Sequence, residues 1–161
     1  MSKAGLDNKR VLIVDDEPDV LESLEELLDM CTTVRAQTFD QAKRLLETEP
    51  FDIAILDIMG VDGYQLLGIA KKKNVLTVML TAHALSPNSI KKSYLGGAAS
   101  YIPKEEMINI EAFLLDVLKD REEGTNPWIN WYKRLEFYLT EKFGSDWDKD
   151  DKRFWHKKDP S

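Results

Sequence analysis

The chain has 161 residues, 43% of them hydrophobic and 32% charged, with a formal net charge of −7. That length buries one good core with room for an appendage, but not two full domains. The acidic balance argues against unspecific nucleic-acid binding, which needs an excess of Lys and Arg against the phosphate backbone. No apolar run approaches the length needed to span a bilayer, so neither nucleic acid nor membrane insertion is expected. The single cysteine, Cys31, excludes an internal disulfide and fits a reducing compartment. The first ten residues lack the apolar core of a signal peptide, which makes the cytoplasm the expected address. The two histidines, His83 and His156, form no metal-ligand cluster.

Strand and helix signals alternate from Arg10 to Asp120. The run Arg10-Val-Leu-Ile-Val-Asp-Asp16 predicts a buried strand. Pro18 suits a first helical turn, and Val20, Leu21, Leu24, Leu27 and Leu28 keep helical spacing after it. A weaker strand follows around Thr33–Gln37. A second helix carries Phe39, Ala42, Leu45 and Leu46 and stops at Pro50. Ile53–Asp57 is the third strand, and a Gly-containing loop leads to a helix near Tyr64–Lys73. Val75–Thr81 is the fourth strand. Ser86-Pro87-Asn88 opens the fourth helix and Gly96-Gly97 ends it. Ala98–Ile102 is the fifth strand, and Ile110, Phe113, Leu114, Val117 and Leu118 mark the fifth helix. Five βα units imply right-handed crossovers and an α/β fold: a doubly wound five-stranded parallel sheet of order 2-1-3-4-5, flavodoxin-like.

The composition changes after Asp120-Arg-Glu-Glu-Gly-Thr-Asn-Pro127, which divides the chain into a domain at 8–120 and an aromatic-rich helical extension at 121–161. All four tryptophans lie in the extension. Asn126 can N-cap a helix over about 127–143, with Pro127 as its first residue and Gly144 at its end. Trp128, Trp131, Tyr132, Leu135, Tyr138 and Leu139 form one apolar stripe on that helix. Such a stripe needs a surface: its own domain, a second copy in a homodimer, or another protein, which makes these six residues candidates for output or interface. Basic and acidic side chains are equal in number after Asp120, too balanced and too few for a helix-turn-helix DNA reader. Ser145–Ser161 carries no assignable element.

Asp15, Asp16 and Asp57 close strands one and three, and open α/β sheets place their ligand sites at such carboxyl ends. Three converging carboxylates repel and raise one another's pKa unless a cation sits among them. Oxygen ligands of this kind suit Mg2+ or another divalent cation. Thr81 closes the fourth strand and Lys104 follows the fifth, so a hydroxyl and an ammonium face the same crevice. This set suits formation of an aspartyl phosphate: Asp57 as nucleophile, Mg2+ at Asp15, Asp16 and Asp57, and Thr81 and Lys104 on the phosphoryl oxygens.

The motifs Val11-Leu-Ile-Val-Asp-Asp-Glu-Pro18, Ile55-Leu-Asp57, Asp62-Gly63, Thr81-Ala82 and Gly97-Ala-Ala-Ser-Tyr-Ile-Pro-Lys104 resemble the receiver domain of two-component response regulators. The resemblance implies phosphotransfer to Asp57 from a histidine kinase or a histidine phosphotransfer protein, followed by self-catalysed hydrolysis. Any enzymatic activity would be limited to self-phosphorylation from a phosphodonor and self-dephosphorylation. The resemblance further implies that the Met59 backbone carbonyl is a metal ligand and that Tyr101 is an aromatic switch, turning inward as Thr81 moves toward the phosphoryl group. Met59 and His83, each two residues beyond a site residue, would tune the phosphoryl lifetime. Output is expected through contact with a downstream protein target.

Two departures from the family pattern stand out. The loop Asp57-Ile-Met-Gly-Val-Asp62-Gly63 is about two residues shorter than usual and lacks its proline, so Gly60 is expected to help it close. Pro103 and Lys104 stand in the reverse of the usual order. Other classes fit less well. A haloacid-dehalogenase-type phosphatase needs a second acid two residues after the nucleophile, where this chain has Met59. A flavodoxin-type carrier needs a phosphate-wrapping loop after strand one, where Asp15-Asp-Glu-Pro-Asp19 would repel phosphate. A pseudo-receiver that binds proteins without being phosphorylated is the closest alternative.

Overall fold

The computed structural model describes residues 5–82 and 86–144. His83 and the stretch from Ser145 to Ser161 therefore lie outside the described residues. The elements run β1 (Arg10–Val14), α1 (Pro18–Leu27), β2 (Thr32–Ala36), α2 (Phe39–Thr48), β3 (Ile53–Asp57), α3 (Gly63–Lys72), β4 (Leu76–Thr81), α4 (Pro87–Leu95), β5 (Ser100–Pro103), α5 (Ile110–Glu123) and α6 (Pro127–Phe143). All strand pairs are parallel, in the order β2-β1-β3-β4-β5. The doubly wound sheet read from the sequence is the one observed.

Local chemistry explains the boundaries. The Thr38 side chain accepts the Gln41 N–H and caps α2. Ser86 and Ser89 form a reciprocal capping box ahead of α4, with Pro87 in the first turn. Asn126 accepts the Trp128 N–H at 2.9 Å and starts α6. The sequence carried no signal for the 3-10 helix that spans Lys104–Asn109 between β5 and α5.

Strands β1, β3 and β4 are covered on both faces, which is why they read as continuous apolar runs. The edge strand β2 leaves Thr32 and Arg35 exposed. The other edge, β5, is buried at all four residues. The difference is α6, which lies against β5 and α5 and covers that edge. Trp128, Trp131, Leu135 and Leu139 are buried there, and Tyr132 and Tyr138 pack at the margin. The Trp128 indole N–H donates to the Ala98 carbonyl at 2.9 Å, and the Trp131 indole N–H donates to the Tyr101 carbonyl at 2.5 Å. The Trp128 ring meets Tyr94 of α4 edge-on, with centroids 5.5 Å apart. Arg134 pairs with Asp116 of α5. At the α5–α6 junction the buried Asp120 accepts the Thr125 hydroxyl at 2.6 Å and the Asn130 amide at 3.2 Å, so its carboxylate is satisfied. The aromatic stripe is thus spent inside the subunit.

Candidate functional site

The strand register builds the site. Val14 pairs with Leu56, Asp57 with Leu80, and Thr81 with Pro103. Asp15, Asp57, Thr81 and Lys104 consequently emerge from four neighbouring strands at nearly one level. Asp16, Glu17, Asp57, Met59, Gly60, Ala82 and Lys104 line a cleft of about 260 Å3 at this end of the sheet. Asp15 and Thr81 are buried beside it, and Met59 sits at its rim, 56% exposed.

The short loop after Asp57 closes by two left-handed residues, Gly60 at φ +85° and Asp62 at φ +54°. A Cβ on Gly60 would lie 2.6 Å from an Asp16 carboxylate oxygen. A Cβ on Gly63 would lie 2.2 Å from the Asp57 carbonyl oxygen, so α3 can start there only with glycine. The Gly63 N–H bonds the Ile58 carbonyl at 3.1 Å and draws the turn shut.

Lys104 is the cation of the cleft. Its Nζ stands 2.9 Å from Asp15 Oδ2, 3.0 Å from Glu17 Oε1 and 3.6 Å from Asp57 Oδ1. Burial works against its charge, but the bonds to Asp15 and Glu17 and the nearby Asp57 outweigh burial and raise its pKa. Asp15 accepts the Glu17 N–H at 2.9 Å on Oδ1, while its buried Oδ2 receives no well-aligned hydrogen bond. Burial raises the Asp15 pKa, and the Lys104 ammonium opposes that only in part. Burial, reinforced by the Asp15 charge, pushes Asp57 up to about 7, with Lys104 opposing and Asp16 adding.

Asp15, Asp16 and Glu17 bring carboxylate oxygens within 4.8 Å of one another. All are hard oxygen donors, and the one nearby ammonium, Lys104, offsets only part of their charge, so the set fits a divalent cation of the Mg2+ class. The sequence reading took Asp15, Asp16, Asp57 and the Met59 backbone carbonyl as this set, and the structure brings Glu17 beside Asp15 and Asp16 as a further oxygen donor. The run Asp15-Asp16-Glu17 was the signal available for it. Asp57 faces this cluster from β3, close enough that Asp15 and Asp16 both raise its pKa.

Thr81 and Tyr101 connect the cleft to α4 and β5. Tyr101 is fully buried, its phenol 2.7 Å from Ser89 Oγ, and the nearby Thr81 hydroxyl acts on the phenol as well. Burial is the main cause that pushes this phenol up to about 12. The Pro103–Lys104 inversion is accommodated with every described peptide bond trans and Pro103 at φ −63°.

A five-stranded parallel sheet of this order, with an acid–lysine cleft at its carboxyl end, defines a class of phospho-acceptor signalling domains. The response regulator receiver domain family matches residues 11–113, and the chain belongs to that family. Members are phosphorylated on an aspartate, generally bind Mg2+ at an acidic pocket, and interact with histidine kinases or phosphotransfer proteins. Among similar proteins, the two-component response regulator ARR18 of Arabidopsis thaliana is 36% identical over 101 residues, covering 59% of this chain and 16% of that protein. The heme response regulator HssR of Staphylococcus saprophyticus is 35% identical over 114 residues, covering 64% of this chain and 50% of that protein. The chain thus spans half or less of the length of these relatives. The response regulator receiver domain protein (CheY-like) from Methanospirillum hungatei JF-1 superposes with a TM-score of 0.60 at 27% identity, covering 71% of this chain and 98% of that one. None of the described helices is long and apolar enough to cross a membrane.

Proposed function

We propose that this chain receives a phosphoryl group on Asp57 from the phosphohistidine of a kinase or phosphotransfer protein, and passes the signal on by protein contact. One observation carries the reading: the Asp57 carboxyl is nearly buried at the end of β3, with Lys104 at 3.6 Å and the Asp15–Asp16–Glu17 oxygens opposite. A carboxylate in that position has one exposed direction, into the cleft. In the transfer, an Asp57 oxygen attacks phosphorus, the P–N bond to the donor imidazole breaks, and the imidazole leaves by taking a proton. Asp15 and Asp16, joined by Glu17 and by the Met59 backbone carbonyl, would hold Mg2+. Bound there, the ion would offset the negative charge that three acids present to an incoming anion. Lys104 supplies a positive charge to the phosphoryl oxygens and Thr81 a hydrogen bond. Met59, at the rim of the cleft, would tune the lifetime of the acyl phosphate, and the family resemblance gives His83 the same role.

Within residues 121–161 the balanced charge favours protein contact over DNA contact. The test is incubation with a small acyl phosphate and Mg2+, followed by intact mass measurement. One added phosphoryl group is expected, absent with EDTA and absent in Asp57→Asn. Equal phosphorylation of wild type and Asp57→Asn would contradict the reading, and no phosphorylation from any donor would favour the pseudo-receiver.

A further inference from the structure

We propose that α6 is a clamp on the segment Tyr101–Glu105, and that Trp131 and Tyr138 are positioning residues for the phosphoryl site. The proposal rests on the reading of Asp57 given above. The segment has two sides. Inward, the Tyr101 phenol bonds Ser89 and feels the Thr81 hydroxyl, and the Lys104 ammonium stands 2.9 Å from Asp15 and 3.6 Å from Asp57. Outward, α6 holds the two ends of the segment, Tyr101 and Glu105. The Trp131 indole donates to the Tyr101 carbonyl at 2.5 Å, and the Tyr138 hydroxyl donates to Glu105 Oε1 at 2.6 Å. Lys142 Nζ lies 3.7 Å from that same carboxylate oxygen, but Glu105 is exposed, so the Lys142 pair adds little and the Tyr138 bond is the weaker of the two holds. Trp131 is 2% exposed, so its bond forms away from competing water and is the stronger grip.

A phosphoryl group on Asp57 binds through Lys104 and Thr81. It therefore favours the arrangement in which Lys104 and the Thr81–Tyr101 pair are already in place, and α6 holds the backbone that carries them. By reciprocity, whatever α6 docking contributes to phosphoryl binding, the bound group returns to α6 docking. Trp128→Phe offers an internal control: it removes the indole bond to Ala98, at the start of the β5 region and away from the cleft, while keeping an aromatic ring against Tyr94 and against Trp131, whose centroid is 4.8 Å away.

The experiment uses the full chain as wild type, Trp131→Phe, Tyr138→Phe and Trp128→Phe, with beryllofluoride and Mg2+ as the probe. Affinity is read by calorimetry, stability by thermal melting, and α6 order by amide hydrogen exchange. Trp131→Phe should weaken beryllofluoride binding by roughly five-fold or more, the lower end of usual coupling factors, and Tyr138→Phe by a smaller factor. Trp128→Phe should lower the melting temperature yet leave the affinity close to wild type. In the wild type, beryllofluoride should slow amide exchange across Pro127–Phe143. Wild-type affinity in both Trp131→Phe and Tyr138→Phe overturns the clamp, as does α6 exchange indifferent to beryllofluoride. An equal loss of affinity in Trp128→Phe also overturns it, since affinity would then merely follow stability. If the wild type binds no beryllofluoride, or binds it equally in Asp57→Asn, the reading of Asp57 itself fails and takes the clamp with it.

Discussion

Lys104 Nζ faces Asp57 Oδ1 at 3.6 Å, yet the same ammonium lies nearer to the buried Asp15, at 2.9 Å. One positive charge is shared among three acids, Glu17 being the third at 3.0 Å. Asp57 therefore keeps a raised pKa despite its cationic neighbour, and the cleft retains an appetite for a second cation.

That imbalance has a pH signature in cation-free buffer. The Asp57 carboxyl titrates near 7 in the folded chain against an ordinary 3.8. Between those values the folded state holds a proton that the unfolded state has lost, so stability falls as pH rises through the window. Asp57→Asn removes that titration. Its stability relative to wild type should grow from pH 4 to pH 7.5 by on the order of a few kcal/mol. Urea denaturation in EDTA at both pH values checks this. An identical difference at the two would mean that Asp57 does not carry a raised pKa.

Asp16→Ala should leave the metal-free fold intact or slightly more stable, because it removes one of the clustered acids. It should also abolish most of the rise in melting temperature that Mg2+ gives the wild type. A metal-free melt lowered by many degrees would show Asp16 to be a structural cap instead.

Two glycines of α3 should respond oppositely to alanine. At Gly63 the new Cβ meets the Asp57 carbonyl at 2.2 Å, whereas at Gly68 nothing lies within 4 Å. Gly63→Ala should cost at least about 2 kcal/mol and disturb the loop that aims Asp57. Gly68→Ala should gain about 0.5–1 kcal/mol from helix propensity. Denaturant midpoints decide both, and a neutral Gly63→Ala would mean that the loop after Asp57 is looser than its geometry.

Much of this was legible in the sequence because it is local. Asp15, Asp57 and Thr81 each end a run of buried β residues, and period and length alone place such residues at strand termini. The parallel order follows from alternating strand and helix signals joined by right-handed crossovers. Gly60 was legible too, as the residue able to close a shortened loop, and its φ of +85° agrees. What was not legible depends on distant pairing. Glu17 reads as an ordinary residue before a helix until Lys104, 87 residues on, reaches it. The tryptophan stripe announces an apolar face, but which surface receives it depends on the edge of β5 and on carbonyls at Ala98 and Tyr101 that carry no side-chain signal. The 3-10 helix Lys104–Asn109 likewise has no periodic pattern of its own.

The extension should matter for stability in proportion to burial. Trp131 is 2% exposed and Phe137, on the outer side of the same helix, is 79% exposed. Trp131→Ala should cost roughly 3–5 kcal/mol, as large aromatics removed from cores do. Phe137→Ala should stay within about 0.5 kcal/mol. Equal effects in thermal melts would show that α6 is not docked as described.

The central claim is that Asp57 is the residue that receives the phosphoryl group. The most direct measurement is to phosphorylate the chain with a small acyl phosphate and Mg2+, reduce with labelled borohydride, and map the label by peptide mass spectrometry. Borohydride converts an aspartyl phosphate to homoserine while leaving free carboxylates alone. The account predicts labelled homoserine at position 57 alone, lost when EDTA is present. Label at another acid with residue 57 unreduced would contradict it.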